Sequence, residues 1–109
     1  MKNIFTFLVL LVSLSFASTI FATEEISIVI QNHQFEPAEI QIPAGQKVRL
    51  IIDNRDSTAE EFESFELNRE KIIPGNSKAA IFVGPLKAGR YPFFGEFNQK
   101  TAKGILIAK

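Results

Sequence analysis

The chain has 109 residues, of which 46% are apolar, and its 12 basic and 12 acidic side chains cancel. This neutral balance gives no electrostatic reason to expect nucleic acid or an anionic membrane surface as a partner. The sequence contains no cysteine, which excludes disulfides, thiol redox chemistry, zinc fingers, iron–sulfur clusters and any metal centre that needs a thiolate.

The N-terminal segment has the pattern of a secretory signal peptide. A short positive region and an uncharged apolar run, residues 4–16, are followed by small residues suited to cleavage at Ala17 and Ala22. We favour cleavage after Ala22, which divides the chain into a signal peptide, residues 1–22, and one secreted domain, residues 23–109. A retained membrane anchor is the alternative, because the segment has about the 20 residues that a membrane span needs.

The mature domain would keep 87 of the 109 residues. This is close to the smallest size at which one hydrophobic core stabilises a fold without disulfides or other cross-links. Loss of Lys2 leaves 11 basic side chains against the 12 acidic ones, a net charge of −1. Acidic residues crowd the segment 53–70, whereas basic residues dominate from Lys71 onward and Glu96 is the only acid there. A single compact domain with no membrane span and no affinity for nucleic acid is therefore predicted.

Six strands are predicted along this domain, because apolar residues alternate with polar ones at the two-residue period of a half-buried strand. They cover residues 26–30, 39–42, 47–53, 78–83, 90–94 and 104–108. Turn residues separate them, and in Pro74-Gly75-Asn76 we expect Gly75 to supply the positive φ of a type II turn. Many short strands with little helix predict an all-β fold, a Greek-key antiparallel β-sandwich.

The aromatic residues are expected to fill the core of this sandwich, since the sequence has no tryptophan. The candidates are Phe35, Phe62, Phe65, Phe82, Phe93, Phe94 and Phe97. Phe93, Phe94 and Phe97 cannot all face one way, so at least one of them is predicted to line the rim of a site or contact surface.

Four glutamates, Glu60, Glu61, Glu63 and Glu66, fall within seven positions. Their carboxylate oxygens are the ligands that hard ions such as iron, manganese and calcium prefer. A helix start is the alternative, since Ser and Thr at positions 57 and 58 each precede a glutamate by three residues, as in a capping box. Both interpretations stay open at this level, because clustering in sequence does not show that side chains converge.

The segments 35–45, Asp53-Asn54, Glu61-Phe62-Glu63-Ser64 and 84–91 occur in an order that resembles the EfeO-type cupredoxin-like domain. The resemblance covers nearly all of the mature chain. It implies a periplasmic β-sandwich that serves bacterial iron uptake, either fused to an iron-binding module or encoded beside an iron permease.

The stretch from Gly89 to Gly104 also resembles the loop that holds copper in the blue-copper members of the cupredoxin family. That resemblance places the Cys, second His and Met ligand positions at Gly95, Asn98 and Ala102, and the first His position at Glu60. No type 1 copper centre is expected, because such a centre needs a thiolate. The replacement of imidazole by carboxylate implies a harder ion instead.

His33, the only histidine, could ligate a metal ion. Its place in the first strand pair, away from the metal-binding end of the resembled fold, favours a surface or hydrogen-bonded side chain. The sequence has no Ser–His–Asp spacing, no phosphate-binding Gly–Lys loop and no nucleophilic Cys, so we predict that the protein is not an enzyme.

These observations lead to one predicted metal site, with the ligands Glu60, Glu61, Glu63 and Glu96. Iron is the favoured ion, and copper or another divalent ion is the alternative. The predicted function is a periplasmic metal-binding accessory of iron uptake, with an iron permease or another periplasmic uptake component as partner. The alternative is a metal-free sandwich that acts through protein contact as a subunit of the same system.

Overall fold

The computed structural model describes residues 23–109, and these form an all-β fold of nine strands. The strands are β1 (Glu24–Gln31), β2 (Gln34–Glu36), β3 (Glu39–Ile42), β4 (Val48–Asn54), β5 (Glu60–Ser64), β6 (Arg69–Ile73), β7 (Ser77–Val83), β8 (Gly89–Gly95) and β9 (Lys103–Ala108). A single 3₁₀ turn, Glu96–Asn98, follows β8. Within the described range, no helix is long and apolar enough to cross a membrane. The predicted signal peptide, residues 1–22, and its cleavage sites lie outside this range.

The strands form two sheets, β2-β1-β4-β7 and β3-β9-β8-β5-β6, so the predicted β-sandwich is confirmed. The sheets are mixed rather than wholly antiparallel, because β1 runs parallel to β4 and β3 runs parallel to β9. The chain leaves the four-stranded sheet to form β3 and then returns as β4. Such a crossover, unlike a hairpin, can bring two strands together in parallel.

The core lies between the two sheets and has an aromatic centre. Phe62 and Phe93 stack with their ring centroids 5.0 Å apart, and Phe35 meets both rings edge-on. These three phenylalanines are buried, as predicted. The core assignment is wrong for Phe65, Phe82 and Phe97, whose side chains are 74%, 43% and 51% exposed because they point away from the space between the sheets.

The helix start considered for residues 57–61 does not form, because residues 60–64 make β5 instead. This strand pairs with β6 on one side and with β8 on the other, and two ladders outweigh a local capping pattern. The two-residue period turns Glu60, Phe62 and Ser64 toward the core and Glu61 and Glu63 toward the opposite side.

The turn between β6 and β7 differs from the predicted one in its backbone angles. The residue with a positive φ is Asn76, at 53°, rather than Gly75, and asparagine tolerates this left-handed conformation. Gly75 is needed for a different reason, since a Cβ there would clash with the backbone carbonyl of Ser57. The glycine thus lets this turn pack against the β4–β5 connection.

Asn54, at the end of β4, fixes the chain that leads into β5. Its fully buried amide Nδ2 donates to the carbonyl oxygens of Thr58, Ile73 and Pro74 at 2.9, 3.1 and 3.3 Å. Its Oδ1 accepts the N–H of Asp56 at 3.1 Å. One side chain therefore ties the β4–β5 connection to the end of β6.

Candidate functional site

The four positions that the resemblance assigns to copper ligands are neighbours at one end of the sandwich. A Cβ added to Gly95 would lie 2.6 Å from the Cβ of Ala102 and 2.6 Å from the Cδ of Glu60. Asn98, at the end of the 3₁₀ turn, donates from Nδ2 to Glu60 Oε2 at 2.7 Å. The end of β8, the start of β5 and the loop between β8 and β9 thus meet at these residues.

These residues do not fit a copper ion. Gly95 and Ala102 carry no donor atom, and the side chain of Glu60, in a residue only 1% exposed, fills the space beside Gly95. The Glu60 carboxylate is also fully engaged, since Oε1 accepts the N–H groups of Glu61 and Phe97 at 3.0 and 2.9 Å. Across residues 23–109, no buried side-chain nitrogen or oxygen lacks a hydrogen-bond partner.

The other three predicted ligands lie on the outer face of the five-stranded sheet, which we define as the face turned away from the four-stranded sheet. Glu61 and Glu63 point outward from β5, and Glu96 follows directly after the neighbouring strand β8. A further carboxylate, Glu70 on β6, pairs directly with Glu63. Glu70 was missed because no strand was predicted there, and only the register of β5 against β6 brings it to the site.

Proximity raises the pKa of two of these carboxyl groups. The pKa of Glu61 rises from 4.5 to about 7, through a hydrogen bond with the Glu70 carboxyl, desolvation and the negative charges of Glu70, Glu63 and Glu96. The pKa of Glu63 is raised by desolvation, by the charges of Glu96 and Glu70, and by a hydrogen bond with Glu96. The four groups therefore form two carboxyl pairs, Glu61 with Glu70 and Glu63 with Glu96, and a proton within a pair relieves its repulsion.

The carboxyl pairs do not form a closed cage. In the part of the chain that the structure describes, no group of three or more His, Cys, Asp and Glu side chains is arranged to hold a metal ion. Of the four predicted ligands, the structure brings Glu61, Glu63 and Glu96 to one face and directs Glu60 to the other. The ligand assignment therefore stays a prediction.

An apolar groove of about 410 Å³ shares Phe65 with the neighbouring cleft that Glu63 and Glu70 line. Phe65 lies 5.6 Å from Phe94, centroid to centroid, and the groove is also lined by Pro92 and Lys103. Phe93, Phe94 and Phe97 do not face one way, as predicted, because Phe93 is buried, Phe94 borders this groove and Phe97 is half exposed. The outer face thus combines four carboxyl groups with exposed aromatic surface.

His33 lies in the tight turn between β1 and β2 and lines a cleft with the loop residues Phe97 and Asn98. Asn32 and His33 have φ angles of 54° and 57°, and the carboxylate of Asp56 accepts both their N–H groups at 2.8 and 2.9 Å. The predicted surface position of the His33 side chain is confirmed, since 47% of it is exposed. The prediction that His33 lies away from the metal-binding end is wrong, because the β1–β2 turn reaches the end of the sandwich that holds Phe97 and Asn98.

The family described as Cupredoxin-like domain matches residues 4–108 of the chain. An uncharacterized protein of Rickettsia prowazekii (strain Madrid E) is 47% identical over 83 residues, which make up 76% of this chain and 66% of that protein. The chain thus spans just under two thirds of the length of this relative.

Two solved structures are similar in fold. One is the metal binding domain of the Cu(I) exporting P-type ATPase CopA of Streptococcus pneumoniae D39 with Cu(I), at 21% identity and a TM-score of 0.69, covering 78% of this chain and 84% of that one. The other is auracyanin A, a blue copper protein from Chloroflexus aurantiacus, at 13% identity and a TM-score of 0.70, covering 81% of this chain and 100% of that one. At these identities the likeness shows the fold alone.

Proposed function

Because the chain belongs to the family of cupredoxin-like domains, we propose that it is an EfeO-type periplasmic accessory of iron uptake that binds a hard cation on its outer face. The observation that carries the proposal is that the register of β5 against β6 and β8 brings Glu61, Glu63, Glu70 and Glu96 together on the outer face of the five-stranded sheet. The two solved relatives are described as copper proteins. At the positions that the resemblance assigns to copper ligands this chain has no thiolate, and the Glu60 side chain fills the space beside Gly95; both facts favour a cation site on the outer face instead.

The two carboxyl pairs supply the electrostatic driving force for this binding. Without an ion, protons relieve the repulsion within each pair, and a cation placed between the pairs replaces those protons. Oxygen donors suit ferrous or ferric iron, manganese and calcium rather than soft copper. Rotamer changes of the outward-facing glutamates close the two pairs around one ion.

Calorimetric titration of the protein with ferrous iron under anaerobic conditions, and with manganese, calcium and copper ions, tests the proposal. We expect iron to release heat and to raise the melting temperature, because a ligand that binds only the folded state stabilises it. The double substitution Glu63→Gln and Glu96→Gln should abolish the heat. Glu36→Gln with Glu39→Gln, which removes two exposed carboxylates on other strands, is the matched control and should leave the heat unchanged.

The cation proposal also predicts a pH dependence of binding. Glu61 must lose its proton to act as a ligand, and its pKa is about 7, so the affinity should increase when the pH rises through neutrality. The titration measures this as a number of protons released per ion bound. Absence of heat with every ion in alkaline buffer would overturn the proposal.

A second candidate function is metal-free contact with a protein partner, and the exposed apolar side chains favour it. Phe65 and Ile72, 74% and 55% exposed, lie beside the carboxyl pairs, and contiguous exposed apolar surface marks an interaction site. A basic partner segment with an apolar side chain would complement this face, its cation at the glutamates and its apolar group in the groove.

Chemical-shift mapping with a peptide of alternating lysine and leucine separates this candidate from the first. The expected result is binding that survives a chelator and is lost in Phe65→Ser. Phe82→Ser is the control, because Phe82 is an exposed phenylalanine on the other sheet. Equal effects of the two substitutions would remove the groove from the contact.

A further inference from the structure

We propose that Glu60, at a position that the resemblance assigns to a copper ligand, acts instead as a hydrogen-bond acceptor that links two neighbouring segments of the chain. It joins β5 to the loop 95–102 without a metal and thereby positions Glu96. The last step rests on the proposed cation site, whereas the link itself does not.

The link consists of two hydrogen bonds from the loop to Glu60, and a third bond within β5 holds the carboxylate in place; we call the three together the Glu60 cross-link. Oε1 accepts the N–H of Glu61 at 3.0 Å and the N–H of Phe97 at 2.9 Å. Oε2 accepts Nδ2 of Asn98 at 2.7 Å. Bonds to a charged acceptor in a buried position are the stronger class of protein hydrogen bonds, and Glu60 is 1% exposed.

The loop has its own internal bonds, but these do not reach β5. The N–H of Gly95 donates to the carbonyl of Ala102 at 2.8 Å, and the N–H of Ala102 donates to the carbonyl of Asn98 at 2.8 Å. Backbone pairing of Gly95 with Phe62 on β5 ends where the 3₁₀ turn begins. Beyond that point the side-chain hydrogen bonds from the loop to β5, within residues 23–109, end on Glu60.

The same geometry closes the end of the sandwich to a metal ion. The Glu60 Cδ lies 2.6 Å, and Oε2 2.8 Å, from the place where a Cβ at residue 95 would be. An ion could enter only by displacing the carboxylate and breaking the three hydrogen bonds. The loop is therefore ordered independently of the metal supply.

This order extends to the proposed cation site through the backbone. Glu96 lies between Gly95, which packs against Glu60, and Phe97, whose N–H the Glu60 carboxylate accepts. Glu60 belongs to neither carboxyl pair and does not contact the proposed cation, so it is a positioning residue. Loss of the cross-link should free Glu96 while Glu61, Glu63 and Glu70 stay fixed on their strands.

Hydrogen exchange of ¹⁵N-labelled protein tests the cross-link directly. Glu60→Gln keeps the volume but replaces the charged acceptor by a neutral amide, whose NH₂ group faces the Nδ2 donor of Asn98 unless that amide turns round, so exchange at the Phe97 amide should accelerate about tenfold or more. Amides of β1 and β4 serve as internal references. Adding Asn98→Asp to Glu60→Gln should restore slow exchange, because the new carboxylate accepts from the NH₂ group introduced at position 60.

Cation binding is the second readout and separates positioning from ligation. Glu60→Gln should weaken the calorimetric affinity, and the Asn98→Asp partner substitution should recover it. Glu63→Gln should weaken binding without changing exchange at Phe97. If no cation binds to the unsubstituted protein, the exchange result still decides the cross-link, and the proposed function alone fails.

Three results would overturn the cross-link. They are exchange at Phe97 that stays within about twofold in Glu60→Gln, failure of Asn98→Asp to restore it, and slowed exchange of the loop when copper is added to the unsubstituted protein. If Glu60→Gln does not fold, Asn98→Ala removes one of the three bonds and should accelerate loop exchange by itself. Accelerated loop exchange with an unchanged cation affinity would contradict only the positioning of Glu96.

Discussion

Gly95 shows how closely the residues at the end of the sandwich are packed. Alanine there would place its Cβ 2.6 Å from both Ala102 Cβ and Glu60 Cδ, so β8 or the carboxylate must shift. We expect Gly95→Ala to lower the free energy of unfolding by about 1–3 kcal/mol, the usual cost of overpacking. Urea denaturation measures the change.

The matched control for this substitution is Gly89→Ala at the other end of β8. Its Cβ would meet nothing closer than 3.5 Å, from a ring atom of Tyr91, so its effect should stay within about 0.5 kcal/mol. Similar losses in the two variants would show that strand propensity, rather than contact with Glu60, decides the result.

Glu61 makes the stability of the protein depend on pH. Its pKa is about 7 in the folded state against an ordinary 4.5, so between these values the folded state holds more protons than the unfolded state. Stability should therefore decrease as the pH rises from about 4.5 to about 7, and no penalty remains below that window. Melting temperatures measured across this range should decline.

Removal of the Glu61 partner tests this cause. Glu70→Gln offers an amide donor to the Glu61 carboxylate and removes one negative charge, so the decline in melting temperature with pH should become shallower. Glu39→Gln on the edge strand β3 should leave the slope as it is. A parent protein whose melting temperature does not change over the window would contradict the assignment.

At the scale of elements, Asn54 holds the segment from β4 to β5 and should tolerate no change of its amide. Asn54→Asp keeps the shape but sets a carboxylate against the carbonyl oxygens of Thr58, Ile73 and Pro74. We expect the free energy of unfolding to fall by about 3 kcal/mol or more near neutral pH, because the buried carboxylate would have no hydrogen-bond donor in place of the amide. Asn68→Asp, at an exposed turn position, should change stability by less than about 0.5 kcal/mol; equal losses would contradict this role of Asn54.

The strands that could be predicted from the sequence are those in which apolar and polar residues alternate. The strand around Val48, Leu50 and Ile52 alternates clearly, and it forms as β4. By contrast, β6 reads Arg-Glu-Lys-Ile-Ile and buries only Ile73, because an edge strand needs few apolar residues. Its existence depends on pairing with β5, and such long-range pairing leaves no local pattern to detect.

The same limit applies to the candidate site. Glu61, Glu63 and Glu96 were proposed together because the first two belong to a cluster of glutamates in the sequence and the third lies within the resembled loop. Glu70 could not be predicted, since only the register Glu63 to Glu70 brings it there. The inward direction of Glu60 likewise depends on residues 60–64 forming a strand, whereas the capping pattern indicated a helix.

For the whole molecule, one shared core predicts cooperative unfolding. Tyr91 is the only tyrosine and the sequence has no tryptophan, so its fluorescence reports on the five-stranded sheet, where its hydroxyl donates to the Lys87 carbonyl at 2.7 Å. Circular dichroism reports on both sheets. We expect the two urea transitions to coincide; separate midpoints would show that one sheet unfolds first.

The sandwich architecture followed from strand number and turn residues, but the strand directions did not. Alternation of apolar residues is the same whether a neighbour runs parallel or antiparallel, so nothing in Ile26 to Ile30 indicated the parallel pairing with β4. The direction is decided by the path through β3, which crosses to the other sheet and back.

The contact between Gly95 and Glu60 also restricts how a blue-copper centre could be built on this scaffold. A cysteine at residue 95 by itself would drive its Cβ into the Glu60 carboxyl group, so the first mutational step toward copper carries a folding penalty before any ion can compensate for it. Histidine at residue 60 by itself would remove the acceptor that holds Phe97 and Asn98. The two changes are therefore strongly epistatic, and building such a centre would require them nearly together.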